Sequence, residues 1–223
     1  MRRIILVLTV GVLGLVVSQS ALAGVSTWDF TGNTGTGPWG PNSPDSYLTS
    51  ASLAVASPNG GTISVRSTGG NPTYYLSIAG TAPGVGGSTL AFTLQAAAAT
   101  SFTTLAFDYD PLGTKPPLAI NWTWNISGGG SGSLGSEIIT GPAGWNGASL
   151  SLSGISALSA GQTLTITGSL VGQSGLGNTG DIGFDNFAIT AVPEPVHYSL
   201  GVFGLIFAGT GVGRWYQVRA KRD

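Results

Sequence analysis

The sequence predicts an all-β fold, a two-sheet β-sandwich, for the greater part of its 223 residues. Between Gly24 and Ala191 apolar side chains recur at alternate positions in short runs, the period of a half-buried strand, and helical periodicity is nearly absent. The runs are separated by clusters of Gly, Pro, Asn and Ser. With 37 glycines and 12 prolines in the chain, such clusters recur often enough to reverse it many times.

In order, strands are expected near Val25 to Thr31, Ser46 to Ala56, Thr62 to Ser67, Thr73 to Ala79, Ser88 to Ala96, Phe102 to Tyr109, Leu118 to Ser127, Ser133 to Ile139, Ala148 to Ser153, Gln162 to Leu170 and Ile182 to Ala191. Ser57-Pro58-Asn59-Gly60-Gly61, Gly69-Gly70-Asn71-Pro72 and Asp110-Pro111-Leu112-Gly113 supply the fixed or positive φ that chain reversal needs. Ser127 to Gly132, SGGGSG, sits between two strand-like segments and reads as a hairpin loop rather than a linker. The main helix candidate is Leu94 to Thr100, too short to stand alone. Leu105, Phe107 and Tyr109 share one face of their strand, which puts Asp108 and Asp110 on the other. Trp122, Trp124 and Ile126 also share a face. Those two indoles either belong to the core or form a flat platform on which a sugar ring stacks.

The ends of the chain are different in kind. Arg2 and Arg3, an apolar block from Ile4 to Val17 and the small residues Ala21 and Ala23 make residues 1–23 a secretory signal peptide, with cleavage after Ala23. At the other end, residues 192–223 hold Pro193-Glu194-Pro195, then an uncharged apolar run over 198–213, then a tail with Arg214, Arg219, Lys221 and Arg222. The prolines favour an extended, exposed strap from Val192 to Val196. The apolar run is about the minimum length for a transmembrane helix, and the basic tail would hold its end on the cytoplasmic side. Domain organisation is thus signal peptide 1–23, β-sandwich body 24–191 and tail 192–223.

Those three tail features, in that order at the terminus, resemble the PEP-CTERM sorting signal of Gram-negative bacteria. The resemblance covers roughly the last thirty residues. It implies an exosortase-type enzyme as partner, a transient inner-membrane anchor, and delivery to the cell surface or extracellular matrix. A second, shorter resemblance lies in the body. Phe184-Asp185-Asn186-Phe187-Ala188-Ile189 and Thr27-Trp28-Asp29-Phe30 are similar to the last and first strands of jelly-roll modules of the carbohydrate-binding type. Modules of that kind often hold calcium between those strands. Asp185 has the parity of Phe187 and Ile189, so it is expected to point inward at the start of its strand, with Asp29 and Asp181 as companion ligands for a structural calcium ion, or else with local backbone N–H groups as its partners.

The chemistry available to the body is narrow. It has no cysteine and no histidine, since the single His197 lies in the tail, which excludes Ser-His-Asp and Cys-His nucleophile systems and histidine-bound zinc there. Its acids, Asp29, Asp45, Asp108, Asp110, Glu137, Asp181 and Asp185, outnumber its bases, Arg66 and Lys115, and so net acidic a surface is a poor partner for nucleic acid. No Gly-Lys-Ser/Thr follows any glycine run, so there is no phosphate cradle. The expectation is a non-enzymatic structural or adhesive surface protein. A carbohydrate-binding module for exopolysaccharide is the alternative, with Trp122 and Trp124 as its stacking residues. A glycoside hydrolase using two of Asp108, Asp110, Glu137, Asp181 and Asp185 is the third. Asn121-Trp122-Thr123 and Asn125-Ile126-Ser127 match the N-glycan acceptor pattern, as expected by chance in a chain this rich in Ser and Thr.

Overall fold

The computed structural model describes residues 22–57, 61–67, 74–80, 88–112, 116–139, 144–172 and 180–194. The chain divides into a compact unit, Ala23–Pro193, and the terminal segments Met1–Leu22 and Glu194–Asp223, of which only Leu22 and Glu194 are described. Ala21, Pro195, the apolar run, Arg214, Arg219, Lys221 and Arg222 therefore lie outside the described residues, as do His197 and Lys115.

The compact unit is all β. Its strands are β1 (Gly24–Trp28), β2 (Leu48–Ala56), β3 (Thr62–Arg66), β4 (Tyr75–Gly80), β5 (Thr89–Ala96), β6 (Thr100–Leu112), β7 (Ala119–Ile126), β8 (Ser131–Ile138), β9 (Asn146–Ser151), β10 (Thr163–Val171) and β11 (Gly180–Pro193). Each overlaps an expected strand. They form two antiparallel sheets, the arrangement of a β-sandwich. Sheet A runs β3-β4-β11-β6-β9, and sheet B runs β2-β5-β10-β7-β8. The long β11 carries two partners on one edge, β4 along Gly180 to Phe184 and β1 along Phe187 to Ala191.

Alternation decides which side of each strand is buried. On β10, Leu164, Ile166, Gly168 and Leu170 alternate with Thr and Ser, and the three apolar side chains are buried. The two inner faces meet in an aromatic core. Phe92 of sheet B packs against Trp28 at 5.4 Å and Phe187 at 5.0 Å between ring centroids, and Phe107 of sheet A packs against Trp122 at 5.4 Å. The SGGGSG segment is the β7–β8 hairpin, closed by Ile126 N–H donating to the Gly130 carbonyl and Gly129 N–H to the Ile126 carbonyl.

Two expectations are corrected. Leu94 to Thr100 is not a helix: Leu94 to Ala96 finish β5, residues 97–99 bend, and Thr100 opens β6. Ala97 N–H goes to the Tyr47 carbonyl and Thr100 pairs with Leu158, so neighbouring segments satisfy backbone groups that one helical turn could not. The start of the Pro-Glu-Pro segment is also not an exposed strap. β11 continues to Pro193, with Val192 opposite Ser101 and Pro193 opposite Thr100, and Val192, Pro193 and Glu194 are half-buried. The extended φ that proline imposes suits a strand end equally well, where its missing N–H removes no interior ladder bond.

Candidate functional site

The outer face of sheet A gathers most of the body's carboxylates. Phe107 and Tyr109 point into the sandwich, so Asp108 and Asp110 between and beyond them point out. Ile182 and Phe184 of β11 are likewise in the core, which turns Asp181, Gly183 and Asp185 outward. The ladder sets Asp185 opposite Asp108 and Gly183 opposite Asp110. On β4, Leu76 and Ile78 face the core while Tyr75 and Ser77 face out, Ser77 opposite Gly183. On β3, Ile63 and Val65 pack against the core and leave Ser64 and Arg66 outward, with Arg66 opposite Tyr75.

A second aromatic group, outside the cluster between the sheets, lies on this face, with Tyr75 buried at 6% exposure and Trp145 half-buried. Tyr75 and Trp145 meet edge to face, centroids 5.6 Å apart at 77°. They fit because position 183 is glycine: a Cβ there would come within 3.0 Å of the Tyr75 ring and 3.3 Å of the Trp145 ring. Around them the polar groups are held individually. Asp110 Oδ1 accepts from Gly144 N–H at 2.8 Å, Asp185 Oδ1 from Asn186 N–H at 2.8 Å, and Asp108 Oδ2 from the Asn186 side-chain amide at 2.9 Å. The Ser77 hydroxyl is buried without a hydrogen-bond partner. Arg66, the one lysine or arginine among the described residues, stands exposed at the rim.

A β-bulge builds this arrangement and corrects the orientation expected for Asp185. On β11 the register steps from Asp185 opposite Asp108 to Ala188 opposite Ala106, so Asn186 and Phe187 together face Phe107. Asn186 takes the extra step with φ 50, a left-handed conformation that asparagine tolerates better than most residues. Parity therefore flips at the bulge. Phe187 and Ile189 face the core, but Asp185 faces out, although it is 0% exposed.

The other expected site residues are dispersed. Asp29 follows Trp28, the partner of Phe187, and its Oδ1 accepts from Thr31 N–H at 2.9 Å in a local turn. Asp181 lies opposite Ala79 and Leu112, farther along β11. Among the described residues no three His, Cys, Asp or Glu side chains gather into a group that could hold a metal ion, whereas calcium takes about six to eight oxygen ligands. The bulge also removes the parity argument for an inward Asp185. Glu137 lies on β8 of sheet B, opposite Ile120 of β7.

The tryptophan platform does not form. Trp122 is 1% exposed and sits over Gly168 of β10, where a Cβ would come within 2.7 Å of its ring. Trp124 is half-buried, its ring lying over Gly130 and Gly132 of the β7–β8 hairpin. Trp122 and Trp39 belong to the core, and Trp124 packs against it. The aromatic pair outside the core is Tyr75 with Trp145. The signal for it was weak, since neither residue has an aromatic neighbour at i±2.

No protein-family model matches the chain, and no curated protein matches it. Among solved structures it is similar to the K1 cleaved adhesin domain of Lys-gingipain from Porphyromonas gingivalis W83, at 14% identity, covering 74% of this chain and 96% of that one with a TM-score of 0.45. A family 11 carbohydrate-binding module from Clostridium thermocellum is similar at 13% identity, 76% and 96% coverage and a TM-score of 0.39, and a family 29 carbohydrate-binding module at 11%, 76% and 89%, and 0.38. At this distance the likenesses carry no argument about what the outer face binds.

Proposed function

We propose that the chain is an exported, exosortase-sorted protein of the cell surface or extracellular matrix. In this reading its non-catalytic β-sandwich adheres through the outer face of sheet A, with polysaccharide as the class of ligand. The observation that carries the binding reading is the half-buried Trp145, packed edge to face on the buried Tyr75 over Gly183, on the same face as Asp108, Asp110 and Asn186. A sugar offers an apolar C–H face that aromatic rings cover and a rim of hydroxyls that carboxylate and amide groups take up. A carboxylate pair working as a glycosidase must flank an open cleft, and Asp185, the partner of Asp108 across the ladder, is fully buried. A glycan array probed with the detergent-solubilised full chain tests the reading. Binding that Trp145→Ala abolishes supports it, and no binding by the unaltered chain leaves a purely structural role.

The sorting part rests on the order of Pro193-Glu194-Pro195, apolar run and basic tail. Replacing the tripeptide by Ala-Ala-Ala should trap the chain in the membrane fraction at unprocessed size, and normal release of that variant would end the sorting reading. A reporter active only outside the cytoplasm, fused to the C-terminus, should stay silent. Structural calcium is tested by thermal unfolding with and without a chelator, since a native-state ligand raises Tm by mass action. An unchanged Tm would remove it.

A further inference from the structure

The compact unit holds a carboxylate with one oxygen left over, placed where its own chain would begin after processing. Asp45 is 4% exposed. It lies in the segment that bridges to β1 through Thr27 and Ser43, with its backbone N–H on the Ser26 hydroxyl at 2.9 Å. Its Oδ1 accepts from Tyr47 N–H at 2.8 Å, while Oδ2 is buried with no hydrogen-bond partner. A buried unpaired carboxylate oxygen is costly, and here burial pushes the Asp45 carboxyl above its ordinary range. The carboxylate rests on Gly24, the first residue of β1. A Cβ at that position would meet Asp45 Cγ and both oxygens, so any larger residue would have to displace the carboxylate. The Gly24 nitrogen, two bonds from that Cβ position, is then within about 5 Å of the carboxylate.

We propose that Asp45 is a receptor for the α-ammonium of Gly24, so that removal of residues 1–23 completes a buried ion pair and locks the mature fold. The inference rests on the signal-peptide reading for the site of cleavage. In that step water adds across the Ala23–Gly24 peptide bond, leaving a carboxylate on Ala23 and an ammonium on Gly24. An amide nitrogen offers one N–H and an ammonium three, so the new terminus serves both the β-ladder and Asp45 Oδ2. Ala23 and Leu22 are exposed, Leu22 at 78%, so their departure uncovers no core. Among the described residues the one lysine or arginine is Arg66, on a strand at the edge of sheet A.

The test uses the full chain in detergent, with a site-specific protease sequence engineered to end at position 23 so that cleavage yields Gly24 at the terminus. Tm is read before and after cleavage in the otherwise unaltered chain and in Asp45→Asn. Cleavage should raise Tm by about 3–8 °C in the first, the rise should vanish in the second, and selective acylation of the new terminus should reverse it. An unchanged Tm on cleavage, or an equal rise in Asp45→Asn, overturns the proposal. Sequencing the N-terminus of the exported protein reports separately on the cleavage reading: a start other than Gly24 contradicts that reading whatever the engineered cleavage does.

Discussion

On β11, Ile182 and Phe184 point into the sandwich while Gly183 and Asp185 point away from it, and on β6 Phe107 and Tyr109 divide from Asp108 and Asp110 in the same way. The inner face is a continuous aromatic and aliphatic core in which Phe187 alone touches the rings of Phe30, Phe92, Phe107 and Phe184. The outer face holds a smaller aromatic pair above carboxylates tied one by one to backbone and amide donors. Both faces exclude water from some of their groups. The difference is that the inner face gains from mutual apolar burial, whereas the outer face stays polar beneath an apolar cover, and that arrangement stabilises little.

The two faces should respond to mutation on different scales. Phe187→Ala should cost about 3–5 kcal/mol in a denaturant titration, because it removes a ring from the centre of the core and leaves a cavity. A loss below about 1 kcal/mol would mean the core closes around the gap. Asp185→Ala should cost about 1–3 kcal/mol, since it strips the acceptor from Asn186 N–H at the bulge. Its hydrogen-exchange signature should be confined to the Asp185–Ala188 bulge and its β6 partners. Exchange spreading through both sheets would contradict an outer-face role for Asp185.

The same contrast shows what the sequence revealed. All eleven strands were legible because alternation and turn residues agree along the body, and Asp108 and Asp110 were placed outward correctly by simple parity on β6. Parity failed on β11. It assumes an uninterrupted pleat, and the bulge at Asn186 resets the count between Asp185 and Phe187. An Asn in the middle of a strand, between Asp185 and Phe187, was the available sign, since Asn is one of the few side chains that enter the left-handed region readily. The pairing of Tyr75 with Trp145 was not legible, because it depends on β4, β11 and the approach to β9 meeting over a glycine more than thirty residues from either ring. Trp122 and Trp124 attracted attention by spacing alone, and spacing says that two rings share a face without saying whether that face is covered.

Smaller effects sharpen the comparison. Gly183→Ala should cost about 1 kcal/mol while displacing the Tyr75 and Trp145 rings by a few tenths of an ångström, visible as a change in near-ultraviolet circular dichroism. An unperturbed aromatic spectrum would mean that the rings do not rest on position 183. Asp45 gives a test that depends on pH. With residues 1–23 attached, its carboxyl titrates above the ordinary value of 3.8, so the folded chain holds that proton more tightly than the unfolded chain. Its contribution should favour folding at acid pH and be lost as pH rises above 3.8 through the raised value. Asp45→Asn should flatten that part of the stability profile, and an identical profile in the variant would remove Asp45 as its source.

The central claim is that the outer face of sheet A recognises a ligand while the inner face only holds the fold. Calorimetric titration of the full chain and of Trp145→Ala with a panel of neutral and acidic oligosaccharides tests it most directly, with Tm measured on both proteins. The account predicts saturable binding by the unaltered chain and at least about a tenfold loss of affinity in the variant, with Tm lowered by no more than about 2–4 °C. Equal affinity in the two proteins, or no binding by either, would contradict it.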